Sequence, residues 1–194
     1  MAAIFNDAQL NEKGYRFRDK WSDDRISNLH FYWVAGRRYS PQWVHDRHND
    51  DEGTQRVLQL KNGDADAIQY YAELLDAVLC KDIAIAVVPR HDPSLGVGGC
   101  HALAKQLAKQ GRADVSFALI RTKTITACHA GGNRGRDVHL ESISMVQPVL
   151  VRDRAVVVID DVTTSGGSLE ACRELLRGAG AARVKMLAMA KTKS

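Results

Sequence analysis

Residues 156–169, Val-Val-Val-Ile-Asp-Asp-Val-Thr-Thr-Ser-Gly-Gly-Ser-Leu, constrain the fold more than any other part of this chain. Four β-branched residues in a row favour a strand buried on both faces. The run stops at two carboxylates, Asp160 and Asp161, and leads into a loop of hydroxyl residues and glycines. Leu169, Cys172, Leu175 and Leu176 then recur at helical spacing, with Gly178 and Gly180 as stops. The pattern predicts strand, loop and helix, with its polar chemistry at the carboxyl end of the strand. Open α/β sheets bind ligands at that edge.

Each residue type in the loop has a physical role. Gly166 and Gly167 let the backbone approach a ligand closely and reach positive φ. Thr164, Ser165 and Ser168 offer hydroxyl donors beside the unpaired N–H groups of a helix start, which attract a phosphate. Asp160 and Asp161 would repel that phosphate. They suit sugar hydroxyls or a divalent metal instead. A phosphate, a sugar and a metal together suggest a phosphorylated ribose. The plainer alternative is a βα turn with a Ser/Thr cap, which does not require two adjacent acids after a buried strand.

The chain is expected to divide near residue 63. From Asp64, a predicted N-cap, elements alternate: a helix through Ile68, Tyr71, Ala72, Leu75, Val78 and Leu79, then a strand at 83–88 ending at Pro89. A helix at 100–110 stopped by Gly111, a strand at 115–120 and a long polar loop at 121–142 follow, then strands at 155–159 and 184–190 around the opening motif. Such alternation predicts an α/β fold: a mostly parallel twisted sheet with helices on both faces. Residues 1–63 hold Trp21, Trp33 and Trp43, and 29–35 read as a strand. The remainder of that segment lacks periodicity. It forms either a packing appendage, with the aromatics as core, or a cap over the site.

Composition narrows the class. The 194 residues are 45% hydrophobic and 26% charged, as in ordinary globular proteins. No apolar run approaches a membrane span and no signal-peptide pattern opens the chain, so a cytoplasmic location without a membrane partner is expected. Cys80, Cys100, Cys128 and Cys172 form no Cys-x-x-Cys pair, which argues against a zinc ribbon. Cys100 and Cys172 fall on apolar helix faces and read as buried thiols. The net charge of +4 decides nothing by itself.

The 156–169 stretch resembles the PRPP-binding motif of type I phosphoribosyltransferases, PRPP being 5-phosphoribosyl-1-pyrophosphate. In that family a hydrophobic strand is followed by two acids, a short spacer, Thr-Thr-Gly, a small residue and Thr. Ser165 stands here at the second threonine, Gly167 at the small residue and Ser168 at the last threonine. The resemblance spans about residues 80–190. It implies a pentosyltransferase that passes the phosphoribosyl group of PRPP to a nucleobase-like acceptor, with Mg²⁺ as cofactor and release of pyrophosphate. Thr163, Thr164, Ser165, Gly166, Gly167 and Ser168 would hold the 5′-phosphate. Asp160 and Asp161 would hold the ribose 2′- and 3′-hydroxyls, directly or through metal-bound water. With Arg90 they are the candidate catalytic residues.

Two more loops fit that resemblance. Val88-Pro89-Arg90-His91 leaves the first strand where the family's loop contacts pyrophosphate, which gives Arg90 and His91 that role. Arg121, Lys123, Arg134 and Arg136 crowd the long loop with no acid before Asp137, as in the flexible hood that closes over PRPP. A surface or nucleic-acid patch is the alternative for these cations. Arg134-Gly135-Arg136-Asp137-Val138 is similar to the Arg-x-Arg-Asn-Val stretch of ComF-like, competence-associated members, with Asp137 in place of Asn. Gly98-Gly99-Cys100-His101 departs from the Arg-Gly-Phe-Asn expected there. Residues 1–63 would supply the hood, residues 64–194 the transferase core. A homodimer is what the family implies, and a nucleic-acid partner is not expected. Two alternatives from other classes are a non-catalytic sensor of PRPP or nucleotides and a DNA-uptake accessory protein.

Overall fold

The computed structural model of the protein describes residues 4–5, 26–33, 51–125 and 135–193. Arg134, Trp21, Trp43, Cys128 and the side chain of Trp33 lie outside what is described. The elements are β1 (Ile26–Trp33), α1 (Glu52–Lys61), α2 (Ala65–Val78), β2 (Ala84–Val87), α3 (Gly99–Ala108) and β3 (Ala113–Asp114). Then come β4 (Leu119–Arg121), α4 (Arg136–Leu140), β5 (Ile143–Met145), β6 (Ala155–Thr163), α5 (Gly167–Gly178) and β7 (Arg183–Lys193).

Local chemistry explains the helix boundaries. The Asp64 carboxylate accepts the Ala67 N–H at 2.9 Å, which starts α2 where the sequence predicts. Asp51 does the same for α1 through the Thr54 N–H at 2.7 Å. Gly111 and Gly180, just beyond α3 and α5, have φ of 90° and 92°, a region that glycine enters at little cost.

Five strands form one sheet in the order β1-β7-β6-β2-β3, and each neighbouring pair is parallel. Alternate side chains feed two cores. Ile85, Val87, Val157, Ile159 and Leu187 meet α1, α2 and α3 on one face. Ala86, Val156, Val158 and Met186 meet Leu169, Cys172 and Leu176 of α5 on the other. The β4–β5 ribbon, an antiparallel pair, adds Leu119 and Ile143 to that second core. The expected α/β fold, with a parallel sheet covered on both faces, is therefore the observed one.

Several expectations need correction. The strand read at 115–120 is not a strand of the sheet: β3 ends just before it, and only its last two residues fall in a strand, β4. Only Ala113–Asp114 joins the sheet; the Asp114 carboxylate then accepts the Ser116 N–H at 2.9 Å and bends the chain, so 119–121 falls in the ribbon. Strand β6 does not stop at 159. It pairs with β7 as far as Thr163↔Lys191, so both acids lie within the strand. The loop read across 121–142 contains α4. β1 is an edge strand of the sheet, and Val57 and Leu60 of α1 are fully buried in its core.

Candidate functional site

Strand β2 ends at Val87↔Ile159, four residues before β6 ends. Asp160 and Asp161 lie just past the last β2 partner, on the overhanging part of β6. Both are half-buried. Asp160 accepts the Asp161 N–H at 3.0 Å and the Ser168 hydroxyl at 3.3 Å, while Asp161 accepts the Val162 N–H at 2.7 Å. Burial, and then the charge of Asp161, push the Asp160 carboxyl well above the usual carboxylate range.

Two helix starts flank the acids. Gly166 is the N-cap of α5 at φ 91°, and among the described residues no side chain caps this helix. The positive end of α5 therefore opens directly after the acid pair and the hydroxyl loop. A Cβ on Gly166 would lie 2.4 Å from Ile26 Cδ1, so β1 packs against the underside of the loop. The second start is α3, with Gly98 as N-cap and no side-chain cap among the described residues. Burial raises the Cys100 thiol in its first turn, and the charges of Asp161 and Asp160 raise it further.

The hydroxyls expected to meet phosphate are differently engaged. Ser168 donates to Asp160. The Thr164 hydroxyl lies 2.8 Å from that of Thr192. The Thr163 hydroxyl is buried and has no partner among the described residues. Ser165 is exposed at the loop tip. The loop thus offers an anion mainly the backbone N–H groups of the first turn of α5.

Arg90 leaves β2 beside this edge, since the Val88 N–H bonds the Ile159 carbonyl at 3.0 Å. Its guanidinium crosses Gly98, with Cδ 3.6 Å from where a Cβ would stand there, and donates to the Leu95 carbonyl at 3.3 Å. Exposed His91 takes the Ile125 N–H on its carbonyl at 3.0 Å, joining this loop to the start of the long one. Lys123 is exposed on that segment.

Arg121 is not a loop cation. It ends β4, is buried, and donates to the Arg90 carbonyl at 2.9 Å, the Pro89 carbonyl at 3.1 Å and the Ser142 hydroxyl at 2.6 Å. Its charge satisfies backbone carbonyls under the β2 loop, where a ligand phosphate would have to displace them. Arg136 opens α4 and pairs with Glu174 of α5 at 3.1 Å. Sequence reasoning passed over Thr192 and Ile26, because nothing in their own neighbourhoods marks them; the parallel pairing of β7 with β6 and β1 brings them to the loop.

Comparison with family models gives one match, described as a phosphoribosyl transferase domain, over residues 96–194, just over half of the chain. Comparison with curated proteins gives no match.

Proposed function

The chain belongs to the phosphoribosyl transferase domain family, and from that premise we propose that it binds PRPP and transfers its phosphoribosyl group to a nucleobase-like acceptor. The observation that carries this reading is the order of chemistry along β6 and α5. Two half-buried acids are followed, after residues 162–165, by a helix start that is entered through a left-handed glycine and that no side chain caps among the described residues. Acids accept sugar hydroxyls and the helix start accepts a phosphate, so one phosphorylated ribose satisfies both.

In this reading Asp160 and Asp161 hold the ribose by its 2′- and 3′-hydroxyls while the first turn of α5 holds the 5′-phosphate. The ribose is then fixed at both ends, and its anomeric carbon faces outward to the acceptor. Transfer breaks the bond from that carbon to pyrophosphate and forms one to an acceptor nitrogen. In the same reading Arg90 and Lys123 would supply positive charge to offset the leaving pyrophosphate. Arg136 would join them only after its exposed pair with Glu174 opens, and such pairs are worth ~0–1 kcal/mol.

The family implies magnesium, and the acid pair fits it. A divalent cation relieves the burial and repulsion that raise Asp160. Among the described residues no group of three or more His, Cys, Asp or Glu gathers. Two carboxylates suit a Mg²⁺ completed by water and substrate oxygens. When bound, the ion neutralises developing charge on pyrophosphate.

Pyrophosphate release from PRPP and Mg²⁺ across a panel of nucleobases tests the activity. Turnover with at least one base is expected. Tight PRPP binding without turnover would move the reading to a sensor, and salt-sensitive single-strand DNA binding would move it to the nucleic-acid alternative. Asp160→Asn with Asp161→Asn should weaken PRPP binding about 10–100-fold, as expected for lost hydrogen bonds to charged groups. Unchanged affinity in calorimetry would sink the ribose assignment. Asp160→Asn alone should raise the thermal midpoint at neutral pH, because it removes a half-buried charge that the fold disfavours.

A further inference from the structure

We propose that Thr192, on β7 and outside the phosphate loop, is a positioning residue that fixes the loop in its phosphate-binding shape. The proposal rests on the loop reading given above and goes beyond it by assigning a part to a side chain 24 positions past Ser168. The last register pair between β6 and β7 is Thr163↔Lys191. Thr192 is the next residue along β7, where β6 has turned away into the loop. Its hydroxyl continues the connection that the backbone ladder has ended. It donates to the Thr163 carbonyl at 3.1 Å and lies 2.8 Å from the Thr164 hydroxyl.

A hydroxyl has one proton and two lone pairs. With the Thr192 proton on the Thr163 carbonyl, Thr192 accepts in the second bond and Thr164 donates. The Thr164 proton is therefore turned toward β7, away from any anion at the start of α5. Both sides of the 163–164 peptide are tied to one side chain of a neighbouring strand. Thr164 and Ser165 are exposed, and Gly166 makes the left-handed step into α5. Restraint before binding raises affinity by lowering the ordering cost of the complex.

The test is isothermal calorimetry of the full chain with ribose 5-phosphate and with PRPP. Thr192→Val keeps the shape of the side chain and removes both bonds. It should weaken both ligands about tenfold while the thermal midpoint stays close to native, and Thr192→Ser should restore native affinity. Thr164→Val should give a similar loss, because Thr164 acts through Thr192. The double variant should be no weaker than the weaker single one, the non-additivity of residues sharing one interaction. If turnover is measured, KM for PRPP should rise with kcat unchanged. Native binding with undiminished affinity in Thr192→Val would overturn the role of Thr192 alone. Additive losses would equally overturn it, since they would place Thr164 on the ligand. Failure of the native chain to bind either ligand would overturn the loop reading and this proposal together.

Discussion

His139 illustrates how burial redirects a titratable side chain at the root of the α4 segment. It is 4% exposed, and its Nδ1 has no hydrogen-bond partner among the described residues. Burial, and then the charge of Arg121, bring its pKa down to about 4. The unfolded chain takes up this proton near the ordinary histidine value of about 6.5. Between those two values the unfolded state binds more protons, so stability falls as pH falls, by up to ~1.4 kcal/mol per pH unit. Denaturant midpoints at pH 7 and pH 5 should therefore drop more for the native chain than for His139→Gln. Equal drops would mean that the fold protonates His139 freely. At this scale the sequence was a partial guide. The acids and glycines of 160–168 were legible because their chemistry is local. Arg121 was not, because a local excess of positive charge cannot tell a solvated guanidinium from a buried one holding three partners.

Among elements, α3 comes close to the backbone of α1 at Gly99. A Cβ on Gly99 would lie 1.6 Å from the Leu60 carbonyl oxygen, a backbone atom that cannot swing aside. Gly99→Ala should thus cost ~3 kcal/mol or more, at the upper end for overpacking, read as a lower urea midpoint. Gly63→Ala is the control for general glycine effects, since nothing lies within 4 Å of its Cβ position, although its φ of 81° carries backbone strain. A midpoint for Gly99→Ala equal to that of Gly63→Ala would refute the packing role. The Gly98-Gly99 pair read in sequence as a departure from a family loop; in the fold its second glycine serves a helix crossing. Helix α2, with its Asp64 cap and apolar spacing, was legible almost to the residue, whereas α1 was not read although Asp51 caps it. Strand limits were not. The ends of β6 and of β3 depend on which neighbour is still present to pair with, and after β3 the Asp114 carboxylate accepts the Ser116 N–H and turns the chain out of the sheet.

For the whole molecule, the sheet runs from β1 at one edge to β3 at the other, with β7 and β6 between β1 and β2. β1 covers one side of β7, and α1 closes the core over it. A chain of residues 64–194 would expose the edge of β7 and the surface left by Val57 and Leu60. It should lose the cooperative thermal transition of the full chain, seen by circular dichroism. A sharp transition near the native midpoint would show instead that the 64–194 core stands alone. The sequence by itself determined the alternating α/β pattern, the start of α2 at Asp64 and the acid–hydroxyl–glycine motif, since each follows from residues within a few positions of one another. Tertiary structure decided what the chain order cannot express. Parallel pairing put Thr192 and Ile26 against the loop, burial turned Arg121 from a ligand cation into a strut, and β1 joined the sheet. In each case the partner that fixes the residue's role lies far away in sequence, and only the packed sheet brings the two together.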